Sequence, residues 1–229
     1  MKYRWSTGLI YIKESFFVNE ENYIISGSDR GAALIRQMFY INANRRIVMV
    51  YVALLRGINV GGKNKIDMKL LKKTFERVGM SSVVTYINSG NIIFTVNGQS
   101  KTTISHILEE AIHTNFELQV KVLVRSFDDL KKVIHSLPES WKNDQQMRSD
   151  VLFLWDEIDD ESVLNKLVIK PEIDTVKYVP GAILWSVERK NITKSGMTKL
   201  VGSKPYQQIT IRNVNTTRKI YELMQAAEA

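Results

Sequence analysis

The sequence predicts an α+β protein: two ferredoxin-like (βαββαβ) halves packed as an internal duplication, plus a C-terminal helix. Three observations predict it. From Met49 onward, short strand-like runs alternate with segments of helical period, and their order occurs twice. Turn residues sit between the runs where a hairpin or a helix end needs them. With 229 residues and 44% hydrophobic content, the chain is long and apolar enough to build a core for both halves.

The first half is read as residues 49–125. "VYVALL" is a short buried strand, and Asp67 is the N-cap of "MKLLKKTFERVG", with Leu70, Leu71, Phe75 and Val78 at inward spacing and Gly79 ending the helix. "VVTYI" and "NIIFTV" are strands joined by the turn "NSGN". "SKTTISHILEEAIHTNF" is a helix with Ile104, Ile107, Leu108, Ala111 and Ile112 inward, and "QVKVLV" closes the unit as a strand. Residues 126–149 are a connecting helix, "FDDLKKVIHSL", and a loop.

The second half, 150–229, repeats the order. "VLFLW" is a strand, and "DDESVLNKLV" is a helix capped by Asp159 or Asp160. "DTVKYV" and "AILWSVE" are strands joined at Pro180-Gly181, and a short helix is expected over "SGMTKLVG". "QITI" is the last strand before the helix "NTTRKIYELMQAA".

Residues 1–48 read differently. Their apolar pieces lack a steady period, and the pattern begins abruptly at Met49. Paired AGG codons at Arg45 and Arg46 would form a ribosome-binding sequence just ahead of an ATG at Met49. The expectation is an N-terminal extension produced by a start-site miscall, contributing little to the main core. The alternative is a genuine extension with a helix near residues 30–41.

Composition narrows the function. The formal net charge is +8, which favours acidic partners such as nucleotides, nucleic acid or phosphorylated metabolites. Cysteine is absent, so the chain has no disulfide, thiol nucleophile or thiolate zinc site, which suits a cytoplasmic protein. No apolar run reaches membrane-spanning length, and no membrane partner is expected. His106, His113 and His135 have no ordered carboxylate partners, so neither a metal nor another cofactor is expected.

The stretch "LLRGINVGGKNKID" raises the question of nucleotide binding. Gly57, Gly62 and Lys63 have the spacing of a phosphate-binding loop, but Asn64 stands where a hydroxyl would hold magnesium, and helix signals begin only at Asp67. ATP hydrolysis is therefore not expected. A weaker anion-binding role remains, through glycine N–H groups beside Lys63 and Lys65, with a solvated turn as the plain alternative.

Topology pairs the polar loops. In the first half, the loops carrying Arg56, Asn59, Gly61, Gly62 and Lys63, and then Asn88, Ser89 and Asn91, leave the sheet on one rim. In the second half, the same holds for Ser195 and Lys199, and for Arg212, Asn213, Asn215 and Thr216. Together these are the candidate ligand-binding residues. Arginine offers a planar fork for phosphate or carboxylate, and asparagine offers both a donor and an acceptor. Asn88 and Asn91 equally suit hairpin bonding, and Asn213 or Asn215 suits a helix cap. The expectation is one site, with Arg56 and Arg212 over a common cleft. Neither Ser89 nor Ser195 has a histidine base, and Tyr51 and Phe94 are assigned to the core.

The motifs "YVALLRGINVGGKNKI", "TYINSGNIIF" and "TIRNVNTTRKIYEL" closely resemble the bacterial domain of unknown function 1697 family, from about Met49 to the C-terminus. The resemblance implies a cytosolic α+β protein of paired ferredoxin-like halves and supplies no activity. A tryptophan commonly follows the Arg-Asn pair in that family, whereas this chain has Val214. The leading expectation is a binding protein for a phosphate-bearing ligand, either a nucleotide or nucleic acid. The alternatives are an enzyme acting without a metal on a small phosphorylated or carboxylated metabolite, and an interaction module that pairs through a sheet edge.

Overall fold

The computed structural model describes residues 48–62 and 64–228. The expectation for residues 1–48 lies outside these, apart from Val48. Residues 47–229 form one compact unit containing two four-stranded antiparallel sheets. The first has the order β2-β3-β1-β4, built from β1 (Val48–Leu55), β2 (Ser81–Tyr86), β3 (Asn91–Asn97) and β4 (Val122–Ser126). The second has the matching order β6-β7-β5-β8, built from β5 (Met147–Leu154), β6 (Thr175–Val179), β7 (Ala182–Glu188) and β8 (Ile209–Asn213). Four helices accompany them among the described residues: α1 (Met68–Arg77), α2 (Lys101–Phe116), α3 (Phe127–Ser136) and α4 (Val214–Glu228).

The repeat extends to the hydrogen bonds just past the first strand of each half. Leu55 N donates to Gly90 O at 2.9 Å and Arg56 N to Lys121 O at 3.0 Å. In the second half, Leu154 N donates to Gly181 O and Trp155 N to Gln208 O, both at 3.0 Å. Strand pairing agrees: Val52 faces Arg125 as Val151 faces Arg212, and Leu54 faces Asn91 as Phe153 faces Ala182.

The apolar run of β1 is continuous because both of its faces are covered. Tyr51, Ala53 and Leu55 pack with Leu71 and Phe75 of α1 and Ile104, Leu108 and Ile112 of α2. Val50, Val52 and Leu54 face the other way, into a core shared with Val151, Phe153 and Leu184 of the second sheet. Leu130 and Val133 of α3 and Val214, Ile220 and Met224 of α4 complete that core. Val214 is fully buried here. Tyr51 stacks on Phe94 with ring centroids 6.0 Å apart, so both are core residues as expected.

Three expectations need correction. Leu70 is exposed, and Thr74 takes the inward place, its hydroxyl donating to Leu70 O at 3.0 Å. The true stripe of α1 is therefore Leu71, Thr74, Phe75 and Val78, in which a back-bonded threonine serves as an apolar residue. The helices expected near residues 160–168 and 195–202 are 3₁₀ turns, Glu161–Lys166 and Gly196–Gly202. Gly196, Gly202 and Pro205 interrupt the second region, and Gly196 lies so close to Val168 O that a side chain would overlap it. These turns cover the outer face of the second sheet, where Leu152, Leu154, Ile183 and Trp185 meet Val163, Met197 and Leu200.

Gly90 closes the β2–β3 turn with φ +76°, and an added Cβ would lie 2.7 Å from Leu55 Cβ and 2.8 Å from Ile58 Cδ1. Gly62 has φ +77° with nothing within 4 Å. Gly90→Ala is expected to cost about 2–4 kcal/mol, combining backbone strain with overpacking, whereas Gly62→Ala costs only about 1 kcal/mol. Urea unfolding of the two variants measures the difference, and equal losses would contradict the packing argument.

Candidate functional site: a stapled loop, a basic groove and an arginine seam

The loop from Arg56 to Asp67 is held by its asparagines. Gly57, Asn59, Gly61, Gly62 and Asn64 all have positive φ, so the chain turns repeatedly within a few residues. Asn59 N donates to Asn64 O at 3.1 Å, and its side-chain Oδ1 accepts from Ile66 N at 2.9 Å. Asn59 Nδ2 donates to Asn88 O at 2.9 Å, tying this loop to the β2–β3 turn. Asn64 Nδ2 donates to Gly57 O at 3.0 Å. The first helix begins at Met68, where Asp67 Oδ1 accepts from Leu70 N at 2.8 Å. A phosphate-binding loop feeds its lysine straight into a helix, so this one has a different geometry. Lys63 itself lies outside the described residues.

Between this loop and the β2–β3 turn runs an open groove of about 610 Å³. Asn59, Gly62, Lys65, Ile66, Asp67, Met68, Lys69 and Asn88 line it. The expected pairing of first-half loops on one rim is thus present. None of the second-half candidates is among the lining residues.

Arg212 reaches across instead to the end of β1. It is 7% exposed, and each guanidinium nitrogen has a partner. Nε donates to Asn91 Oδ1, and Nη1 donates to Thr210 Oγ1 at 3.0 Å and Ile211 O at 2.8 Å. Nη2 donates to Leu55 O at 2.9 Å and to Ser89 O and Gly90 O, both at 3.1 Å. Burial pushes its pKa down to about 10, which leaves it charged at neutral pH. Asn91 is fully buried and completes the set by donating Nδ2 to Tyr86 O at 3.0 Å and Ser89 Oγ at 3.1 Å.

Arg56 crosses in the opposite sense. Nε donates to Ile209 O at 3.1 Å, Nη2 to Tyr206 O at 3.2 Å, and the guanidinium carbon lies 5.0 Å from the centre of the Tyr206 ring. The structure therefore brings the two arginines to one seam, as their rims suggested. It engages them with main-chain carbonyls, because two sheet ends meeting here leave acceptors that only a long donor can reach.

A third arginine was missed at the sequence level. Arg125, on β4, occupies the register position that Arg212 holds on β8, is 4% exposed, and donates Nη2 to Leu154 O as Arg212 donates to Leu55 O. Its Nη1 meets Asp156 Oδ1 at 3.0 Å. The signal was available: "VRSFDD" and "IRNVNT" each place an arginine one residue before a helix-capping Ser or Asn.

The second-half candidates separate by role. Ser195 is buried, donates to Asp174 Oδ1, and accepts from Met197 N at 3.0 Å at the head of a 3₁₀ turn. Asp174 also accepts from Gly196 N at 2.9 Å, Lys170 N at 3.0 Å and Trp185 Nε1 at 3.1 Å. Burial pushes the Asp174 carboxyl up, but these donors, led by Ser195, outweigh it and hold the pKa below the usual carboxylate range. Asn213 Oδ1 accepts from Thr216 N at 2.8 Å and caps α4, while Asn215 Nδ2 donates to Asn143 O at 2.9 Å. Lys199 is exposed. Among the described residues, no three His, Asp or Glu side chains are grouped to hold a metal ion, and no helix is long and apolar enough to cross a membrane.

Matched sheets joined by exchanged arginines define a class of two-sheet α+β protein with an internally repeated strand order. The chain belongs to the family described as "Protein of unknown function (DUF1697)", whose model matches residues 49–185. It is similar in structure to the conserved bacterial protein SP0830 from Streptococcus pneumoniae, at 31% identity, covering 77% of this chain and 99% of that one with a TM-score of 0.67. No curated protein matches the chain.

Arg212→Ala removes the donor for several buried carbonyls at once and is expected to destabilise the fold by at least about 3 kcal/mol, against about 1 kcal/mol for the part-exposed Arg56→Ala. Chemical denaturation checks the ranking. Asp174 gives a pH signature. Its folded pKa lies below the unfolded value of about 3.9, so its contribution is fully present above that pH and is lost as pH falls through the folded pKa. Asp174→Asn should weaken the protein at pH 7 and flatten its acid-unfolding profile, which a pH series of melting temperatures would show.

Proposed function

We propose that this chain binds a phosphate-bearing ligand of the nucleotide class, free or as part of a nucleic-acid strand, in the groove between the 56–67 loop and the β2–β3 turn. One observation carries the reading: the groove is open, of nucleotide size, and edged by the exposed Lys65 and Lys69. Gly61 and Gly62, consecutive with positive φ, supply loop N–H groups of the kind that attract anions. Lys63 belongs to the same loop by sequence, and the net charge of +8 favours an acidic partner. The binding set is accordingly Asn59, Gly61, Gly62, Lys63 and Asn88 with Lys65 and Lys69, while Arg56 and Arg212 hold the seam behind it. Asn59 shapes the wall, and the exposed Asn88 amide is suited to a base edge or sugar hydroxyl.

The same reading takes residues 49–125 and 150–229 as ferredoxin-like halves of an internal duplication, with 126–149 as the connector. The matching strand orders and the equivalent positions of Arg125 and Arg212 support it.

Fluorescence anisotropy with labelled single-stranded DNA and RNA, and competition by free nucleotides, tests the proposal. Lys65→Glu with Lys69→Glu should weaken binding roughly tenfold or more and lower the slope of log affinity against log salt by about 2 for a strand, with the melting temperature unchanged. Unaltered binding in the double variant would overturn the assignment. Competition by mononucleotides at similar affinity would identify the free form as the ligand.

A further inference from the structure

The two seams are not equally complete, and the difference marks a second site. Behind Gly90, Arg212 Nε is met by the Asn91 side chain. Behind Gly181, the position equivalent to Asn91 is Ala182, which has no acceptor to offer. Arg125 Nε is accordingly buried without a hydrogen-bond partner. A Cβ added to Gly181 would lie 3.7 Å from that nitrogen, and a cavity of about 80 Å³ opens beside it. An unpaired N–H on a buried cation carries a large desolvation penalty, so this is where an added acceptor gains most.

The cavity is lined by three cations and three carboxylates, so the occupant depends on which of them are already engaged. Arg125, Lys101 and Lys132 face Asp129, Asp156 and Asp159. The carboxylates are already engaged. Asp129 accepts from Lys101 at 2.8 Å and caps α3, and Asp159 accepts from Tyr178 at 3.0 Å and Gly181 N at 2.8 Å. Burial raises the Asp129 carboxyl, but the bonds from Lys101 and Ser126 outweigh it and keep it ionised. Asp156 meets Arg125 with a side chain that is 66% exposed. Lys132, midway along α3, makes no ion pair among the described residues. The donors that remain open on the lining are the Arg125 Nε–H and the Lys132 ammonium.

We infer that the cavity beside Arg125 and Gly181 binds a small oxyanion, one oxygen accepting from Arg125 Nε and another facing Lys132. Its volume admits the head group of a carboxylate or phosphate and no more, so a larger ligand would enter by that group alone. This site is separate from the nucleotide groove, which none of its lining residues shares. In the other seam the asparagine amide is a built-in substitute for the same acceptor.

The test follows the Arg125 Nε–H resonance of ¹⁵N-labelled protein during titration with inorganic phosphate and, separately, acetate. The expected result is a saturable shift of this resonance with at least one of them. Ala182→Asn, which recreates the other seam's acceptor, should weaken the shift roughly tenfold or more in folded protein. Lys132→Ala, an exposed change, should weaken it without lowering the melting temperature. A response to phosphate but not acetate would support the site and identify its preferred oxyanion. No saturable shift with either in the unmodified protein would overturn the inference and leave solvent as the occupant. Binding that survives both substitutions unchanged would also overturn it.

Discussion

The contact on which the rest of the structure depends is a buried guanidinium, that of Arg212, set among neutral oxygens. The end of β1, the β2–β3 turn and the tip of β8 all converge on it. Taking a cation out of water costs several kcal/mol even after relaxation, and among the described residues no carboxylate pairs with Arg212 to offset it. Hydrogen bonds from the charged guanidinium, each stronger than a neutral one, make up the difference. They also satisfy the carbonyls that two meeting sheet ends would otherwise leave bare. A smaller cation could not do this, because its donors do not form a planar fork wide enough to reach four carbonyls, a hydroxyl and an amide.

From that contact follows the division of labour in the first half's polar loops. Since Arg212 holds Ser89 O, Gly90 O and Asn91 from behind, the β2–β3 turn is fixed. Asn59 then ties the 56–67 loop to Asn88 on the same turn. A rigid groove wall is the result, built from glycines and asparagines whose own conformations would otherwise be loose. The chemistry that looked most like a ligand clasp is thus scaffold, and the groove in front of it carries the lysines.

The duplicated seam shows what one residue changes. Arg125 repeats the reach of Arg212, but Ala182 stands where Asn91 stands, and a cavity replaces an amide. Apolar Ala182 serves the core with Phe153 and Leu184. That gain in packing leaves one guanidinium N–H open, and Asp156 engages the other side of the same group from solvent. Two halves with one strand order therefore present different polar chemistry at equivalent points.

Much of the architecture was written locally. Continuous apolar runs in β1 and β5 and the capping residue Asp67 are signals of neighbouring residues, and each was met by the expected element. Where the periodicity misled, a back-bonded side chain or a distant contact was the cause. Leu70 faces solvent because Thr74 satisfies its hydroxyl on the helix itself and packs inward, and the 196–202 segment winds as a 3₁₀ turn against Val168 O. The sequence by itself determined the order of the strands and of the four α-helices, the repeat, the basic charge and the rims on which the polar loops would lie. Only the tertiary structure decided which polar groups were left facing a ligand. Arg56, Arg212, Asn91 and Ser195 find their partners 21 to 157 residues away, and no pattern of neighbours records which donor a distant carbonyl will claim.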